Sequence, residues 1–427
     1  MTDIAGHSPV GSLVRWCRDP AAWMAAADIS AVLLAAALPW STSLVAIFAV
    51  LVLIALVPFL DVEALWRSVK RPIAAVPIAL FLLAVVGTLW SPAPWGERLY
   101  AIGPTLKLLM LPLLFYHFER SERGRWIFIA FLVSCALLSV MSWVVAFYPH
   151  LSLKPPDYAE RGIFVKNYID QSQEFALCAV ALAYPIVTLL RERKIGLAIL
   201  LSVVAASFVA NMAFVIVSRT ALVTMPIMAA VFGLLHLRWR VNLLIGAALV
   251  AIAAIAFVAS PQLEWTVQTF SRDYELYKQG VPTSIGERLE YWRNALQFFA
   301  DAPLVGNGTG STKGLFERAE HAPGWLAGVR VFPNPHNQTL NVAVQWGMLG
   351  LVALYAMWLL HLLLFRGEGL ANWIGLLVVV QNIFTSPFNS HIFDFHEGWM
   401  YVLGVGLAGG MVLKARAAGR VEGDKGS

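Results

Sequence analysis

The feature that most constrains this chain is a train of apolar runs, each about long enough to cross a bilayer. They fall near 23–39, 42–60, 72–90, 101–117, 126–148, 173–190, 195–217, 220–236, 241–260, 338–364, 370–389 and 397–413. About 20 apolar residues cross a hydrocarbon core as a helix. Backbone N–H and C=O groups in lipid must be satisfied internally, and runs of this length select helices over a closed barrel. The 59% of hydrophobic and 13% of charged residues, against about 25% charged in soluble domains, leave more apolar surface than a soluble core can hide. The chain is therefore expected to be an all-α integral membrane protein of about 12 transmembrane helices. Residues 1–260 would hold helices 1–9, 261–337 a loop domain, and 338–427 helices 10–12 with a tail. Two splits between runs are short, at Pro39-Trp40-Ser41 and at Ser218-Arg219-Thr220. Residues 1–21 carry Arg15 and Arg18 but no short apolar core with a small-residue cleavage site, so no cleavable signal is expected.

Loop charge gives an orientation. Arg67, Lys70 and Arg71, then Arg120, Arg123 and Arg125, then Arg191, Arg193 and Lys194, then Arg238 and Arg240, then Arg366 and the tail's Lys414, Arg416, Arg420 and Lys425, occupy alternate loops. By the positive-inside rule those loops and both termini face the cytoplasm. The opposite side also carries Arg98, Lys154, Arg161, Lys166 and Arg219, and 261–337 adds more. Long translocated loops escape the rule. Arg219 does not, because it stands in a near-absent turn between two apolar runs, where a charge is costly and marks a functional candidate.

The segment 261–337 is the one large hydrophilic block. Within it Leu289, Trp292, Leu296 and Phe299 recur at helical spacing, which predicts an amphipathic helix over 284–300. Pro303, Gly306, Gly308 and Gly310 then break regular structure. Pro335-His336-Asn337 stands at the external start of the tenth run. A helix N-terminus offers free N–H groups and partial positive charge, which suits a phosphate and disfavours imidazolium. His336 is thus expected to be neutral and able to take a proton, although capping at an interface explains the same motif. Ser218 is placed to cap the eighth run, which aims Arg219 outward at the same depth; snorkelling to headgroups is the plainer account. Arginine matches phosphate bidentately. Arg288 and Trp292 share a helix face, with Glu287 and Glu290 as plain ion-pair partners. Lys107, inside the fourth run, needs a polar cavity or an anion. Arg161 and Lys166 lie in the loop before the sixth run and are free to solvate. His391, Asp394 and His396 form a cluster without recognised metal spacing, expected to be an ordinary polar loop.

Several signatures are missing. No P-loop, GxSxG elbow or DxD-type pair occurs. The three cysteines, Cys17, Cys135 and Cys178, form no CxxC or Cys/His cluster, so neither a disulfide framework nor zinc is expected. No metal and no cofactor is expected, and acids are sparse beside the external arginines. The net charge of +5 is spread along membrane loops, and no nucleic-acid partner is implied.

Five motifs in order resemble the O-antigen ligase / O-antigen polymerase superfamily. They are Ser218-Arg219-Thr220, Ser284-Ile285-Gly286-Glu287-Arg288 followed by Trp292, Pro303-Leu304-Val305-Gly306-Asn307-Gly308, Pro335-His336-Asn337, and Gly347-Met348-Leu349-Gly350. The similarity runs from about the fifth run to the eleventh. It implies a GT-C-like, inverting, metal-independent glycosyltransferase of the bacterial inner membrane, with a large periplasmic helical loop between helices 9 and 10 and its site facing the periplasm. The donor would be a glycan on undecaprenyl pyrophosphate and the acceptor a sugar hydroxyl of lipid A–core, with membrane lipids around both. The family's functional residues map onto Arg219, Arg288 and His336, and Arg161, Lys107, Asn337 and Trp292 complete the expected substrate-binding set. A polymerase or a protein O-oligosaccharyltransferase of the same superfamily are the alternatives. A transporter for a lipid-linked glycan is the alternative from another class, and predicts inverted repeats and broken helices at the midplane; no repeat is visible in the sequence.

Overall fold

The computed structural model describes residues 19–155 and 161–425. The expectations for the N-terminal residues, with Arg15, Cys17 and Arg18, fall outside the described residues. Every apolar run is helical, and no strand occurs among the described residues. In chain order the helices are α1 (Pro20–Ala37), α2 (Thr42–Leu56), α3 (Val62–Lys70), α4 (Pro72–Val86), α5 (Trp95–Ile102), α6 (Met110–Phe118), α7 (Gly124–Phe147), α8 (Tyr168–Ala181), α9 (Ala183–Arg191), α10 (Ile195–Phe214), α11 (Arg219–His236) and α12 (Trp239–Ala259). Then come α13 (Pro261–Lys278), α14 (Ser284–Asp301), α15 (Thr312–Glu320), α16 (Gln338–Leu364), α17 (Leu370–Thr385) and α18 (Phe395–Lys425). Among the described residues eleven helical stretches are long and apolar enough to cross a membrane, and α17 is a shorter apolar helix. The protein is an all-α, multi-pass membrane protein.

Short side chains start several helices. The Asp61 carboxylate accepts from Ala64 N at 3.0 Å, Asn167 from Ile169 and Asp170 N at 2.8 and 2.9 Å, Ser260 from Leu263 N at 3.2 Å and Thr283 from Gly286 N at 3.1 Å. Each satisfies N–H groups that a helix start leaves free. Ser218 departs from expectation. It holds the N-cap position of α11, but its buried hydroxyl makes no capping bond.

The basic turns gather at one end of the bundle. Arg71 grips both oxygens of Glu119 at 2.9 Å, Lys414 donates to Ser121 O at 3.0 Å, Arg416 donates to Leu364 O at 2.6 Å and Arg191 to His236 O at 3.3 Å. A charge inside α1 is also satisfied there: Asp28 accepts from the Ser121 hydroxyl at 2.6 Å and meets His117 Nε2 at 2.8 Å. Intramembrane charges persist when paired in this way.

The opposite end carries α13 to α15 and the loop between α17 and α18. The segment 261–337 is more helical than its sequence suggests, since α13 and α15 flank the expected helix. It has an apolar core of its own: Tyr291, Ala295 and Phe298 of α14 pack with Leu315 and Phe316 of α15, Val329, and Val344 of α16. Each large side chain so buried contributes roughly 1.5–3 kcal/mol. That cluster seats the segment on the first turns of α16.

Two spans are broken. The fourth is α5 and α6 joined by a 3₁₀ stretch, Gly103–Leu109, that begins next to Pro104, which has no N–H to give an α-helical bond. The tenth, read as one continuous run, is interrupted inside α16 at Gly347, with φ 59° and ψ −148°. The segment 303–308 fills that break. Asn307 N donates to Val344 O at 2.9 Å, Gly308 N to Gln345 O at 2.9 Å and Met348 N to Pro303 O at 2.8 Å. A Cβ at Gly347 would lie 2.6 Å from Leu304 O, and one at Gly306 2.5 Å from Gln345 O. The two glycines let two backbones touch. The freed carbonyls are thus satisfied by protein, as broken membrane helices require.

Candidate active site

Three helix ends and one loop build the site. Arg219 is the first residue of α11, Arg288 lies in the first turn and a half of α14, His336 immediately precedes the cap of α16, and the loop 386–394 leads into α18.

Asn337 caps α16, its side-chain oxygen accepting from Leu340 N at 3.0 Å. One residue earlier His336 takes a positive φ of 51°. Few non-glycine residues do so, and such backbones persist where surroundings enforce them. The enforcement is visible: His336 N donates to Asn334 Oδ1 at 2.9 Å, and the Trp292 indole donates to Pro335 O at 3.1 Å. Phe332 stacks on the imidazole with centroids 4.9 Å apart, and Tyr291 lies 6.0 Å away. Burial pushes the His336 pKa below the usual histidine value, and the positive charge of Arg288 acts the same way. Both effects favour the neutral ring. Its Nδ1 meets Asn389 Oδ1 at 2.9 Å, and its Nε2 has no hydrogen-bond partner among the described residues.

Arg288 is half-buried and makes no hydrogen bond or ion pair among the described residues. Its expected partners are otherwise engaged or absent: Glu290 holds Arg293 at 2.5 Å and Asn294 at 2.9 Å, and Glu287 makes no ion pair with it. Burial lowers the Arg288 pKa, and the charge of Arg219 adds to that effect. Arg288 thus stands within electrostatic reach of both Arg219 and His336. Arg219 is not snorkelling. Both its terminal nitrogens donate to Asp273 Oδ2 at 3.2 Å, and its guanidinium lies 4.9 Å over the Phe270 ring. Asp273 and Phe270 both come from α13. Of the two arginines, Arg219 is paired with Asp273 and Arg288 has no ion-pair partner among the described residues, which leaves one guanidinium near two helix starts where an anion would fit.

Lys107 reaches the same region from the 3₁₀ break. It is buried and donates to Asp394 O at 2.5 Å. The His391, Asp394 and His396 cluster is no ordinary polar loop. His391 is fully buried, 3.4 Å from Asp394 and 3.6 Å from Glu397, and His396 contacts Asp170 at 2.6 Å. Among the described residues His391, Asp394 and Glu397 have ligand atoms within 4.8 Å of one another, the spacing of a metal set. The Lys107 ammonium stands beside this set and supplies the positive charge there. Lys166 is likewise buried, pairing with Glu174 at 3.1 Å and donating to Leu38 O. Arg161 is exposed and has no partner among the described residues. Cys135 and Cys178 are free and buried.

Sequence reasoning passed over Asp273 and Asn389. Asp273 sits in a helix that the sequence does not announce. Asn389 lies in Ser386-Pro387-Phe388-Asn389-Ser390, where a run of turn residues after an apolar stretch was the available signal.

Residues 204–355 match the family model described as O-antigen ligase. The matched stretch takes in Arg219, Arg288, Trp292, His336, Asn337 and the Gly347 break. It bears out the resemblance to the O-antigen ligase and polymerase superfamily. No curated relative matches the chain.

Proposed function

From the premise of that family match, we propose that this protein is an O-antigen ligase that acts at the periplasmic face of the bacterial inner membrane. It transfers a glycan from undecaprenyl pyrophosphate to a sugar hydroxyl of lipid A–core. The observation that carries the reading is Arg288, an unpaired and half-buried guanidinium within electrostatic reach of both Arg219 and His336.

The chemistry follows from those charges. His336 Nε2 takes the proton of the acceptor hydroxyl. The oxygen attacks the anomeric carbon on the face opposite the pyrophosphate, the bond from that carbon to the pyrophosphate oxygen breaks, and the configuration inverts. Negative charge grows on the departing undecaprenyl pyrophosphate, where Arg219, Arg288 and the helix starts stabilise it. The base contributes roughly 10²–10⁴-fold. The positive charges come from arginines, so the reaction proceeds without a metal.

The test offers purified full-length protein one donor, undecaprenyl-pyrophosphate glycan, and three acceptors: lipid A–core, a second lipid-linked glycan, and a serine-bearing protein. Conjugation to lipid A–core, unchanged by EDTA, supports the reading. Chain lengthening or protein glycosylation by active enzyme, with no lipid A–core product, overturns it in favour of the polymerase or the protein glycosyltransferase.

A further inference from the structure

Behind His336 stands a chain of contacts that the catalytic reading does not use. Asn389 Oδ1 meets His336 Nδ1 at 2.9 Å, and Asn389 Nδ2 donates to Asp394 Oδ2 at 2.7 Å. We propose that Asn389, oriented by Asp394, is the positioning residue that fixes His336 as its Nδ1–H tautomer and so leaves the Nε2 lone pair free for the acceptor hydroxyl. The inference rests on the catalytic reading of His336, but the tautomer itself is independent of it.

The argument is one of donors and acceptors. An ionised carboxylate only accepts, so Asp394 requires the amide nitrogen of Asn389 to face it. That leaves the amide oxygen toward His336. An amide oxygen only accepts, so Nδ1 must carry the hydrogen. Reversing the amide would put an oxygen against the carboxylate and an N–H₂ group against the ring, losing one bond and adding repulsion. In a neutral imidazole the tautomer is set by the bond the other nitrogen makes. Nothing from the described residues competes for Nε2.

Asp394 is itself held. Its backbone N–H donates to Ser390 O at 3.0 Å and its carbonyl accepts from Lys107 at 2.5 Å. The loop that carries Asn389 is pinned to the start of α16. Gln338 N donates to Ser386 O at 2.8 Å, Ile392 N to Gln338 Oε1 at 2.9 Å, and the Ser390 hydroxyl to Asn334 Oδ1 at 2.7 Å. The base and its orienting amide therefore share one rigid frame, with Asn334 bonded to both the His336 backbone and the Asn389 loop. Lys107 thereby acts at one remove, by holding the acid that sets the amide.

Two measurements on the full-length protein test this. In ¹⁵N-histidine-labelled protein, with His336 assigned by the signal lost in His336→Gln, the ring nitrogens report the tautomer directly. The expected result is an Nδ1–H ring in the native protein and a mixture in Asn389→Ala. In the transfer assay Asn389→Ala should lower kcat about 10- to 100-fold, the range that metal-bound histidines show on losing their outer partner, with the donor KM near native. Asp394→Ala, which frees the Asn389 amide to turn its N–H₂ toward the ring, should shift His336 toward the Nε2–H tautomer and lower kcat as well. An Nε2–H ring in the native protein, or an Asn389→Ala protein with native tautomer, kcat and pH profile, overturns the proposal. Absence of transfer by native protein, with the tautomers as expected, sinks the functional reading and leaves this one standing.

Discussion

At the residue scale the site's logic is one of incomplete pairing. Arg219 has an acid, Arg288 has none, and His336 keeps one nitrogen free. The pH dependence follows. The proposed mechanism needs neutral His336, whose folded pKa lies below the usual 6.5 because burial and Arg288 disfavour imidazolium. The kcat/KM profile should therefore hold its plateau at pH values where an ordinary histidine is half charged, and fall only as pH drops through the depressed value. An acidic limb above 6.5 in the free enzyme would contradict it. Asp273 occupies two nitrogens of Arg219 that the proposed reading assigns to the pyrophosphate. Asp273→Asn should release them, with a gain of roughly 0.2–1 kcal/mol for a partly exposed pair, up to about fivefold in donor KM. A donor KM that is unchanged or higher would show that Asp273 does not compete. Arg219 and His336 were legible because each stands alone at the start of an apolar run. Asp273 and Asn389 were not, since their roles come from neighbours in space: Asp273 reaches Arg219 across 54 residues, and Asn389 reaches His336 across 53.

At the element scale, the informative pieces are the spans that are not continuous helices. Sequence hydropathy found α16 as one run because both halves are apolar, and Gly347-Met348-Leu349-Gly350 gives no sign of which glycine breaks it. The break exists to receive 303–308, whose glycines were legible only as irregular structure. Gly347→Ala should be destabilising, by about 1–3 kcal/mol for a backbone that L-residues avoid and more for the overlap with Leu304. A thermal melt of the purified protein in detergent should show a Tm lower by several degrees. A native Tm would mean that 303–308 yields easily and does not anchor the segment. The same break-and-fill device ties the end of α14, the helix that bears Arg288, to α16, so loss of this anchor should also raise the donor KM.

At the scale of the whole molecule, the count and order of helices were nearly all in the sequence, because lipid imposes run length on any span. The polar segment was harder to read. Its helices are amphipathic, and its core completes itself only against Val344 of α16. The basic turns share one end through their own contacts, and the arginine site lies at the other. With native Cys17 replaced by serine, Ala322→Cys should react with an impermeant thiol reagent in intact cells whose outer membrane is permeabilised, and Glu368→Cys only after the inner membrane is opened. The reverse pattern would invert the topology. The central claim is that the two arginines hold a pyrophosphate-linked glycan beside a histidine base. It is tested most directly by measuring donor binding and product formation together in purified His336→Ala and Arg288→Lys proteins of native fold. The account predicts that His336→Ala binds undecaprenyl-pyrophosphate glycan about as tightly as native protein while forming no conjugate, and that Arg288→Lys, lacking the bidentate fork, binds it at least several-fold more weakly. Native transfer by His336→Ala, or native donor affinity in Arg288→Lys, would contradict it.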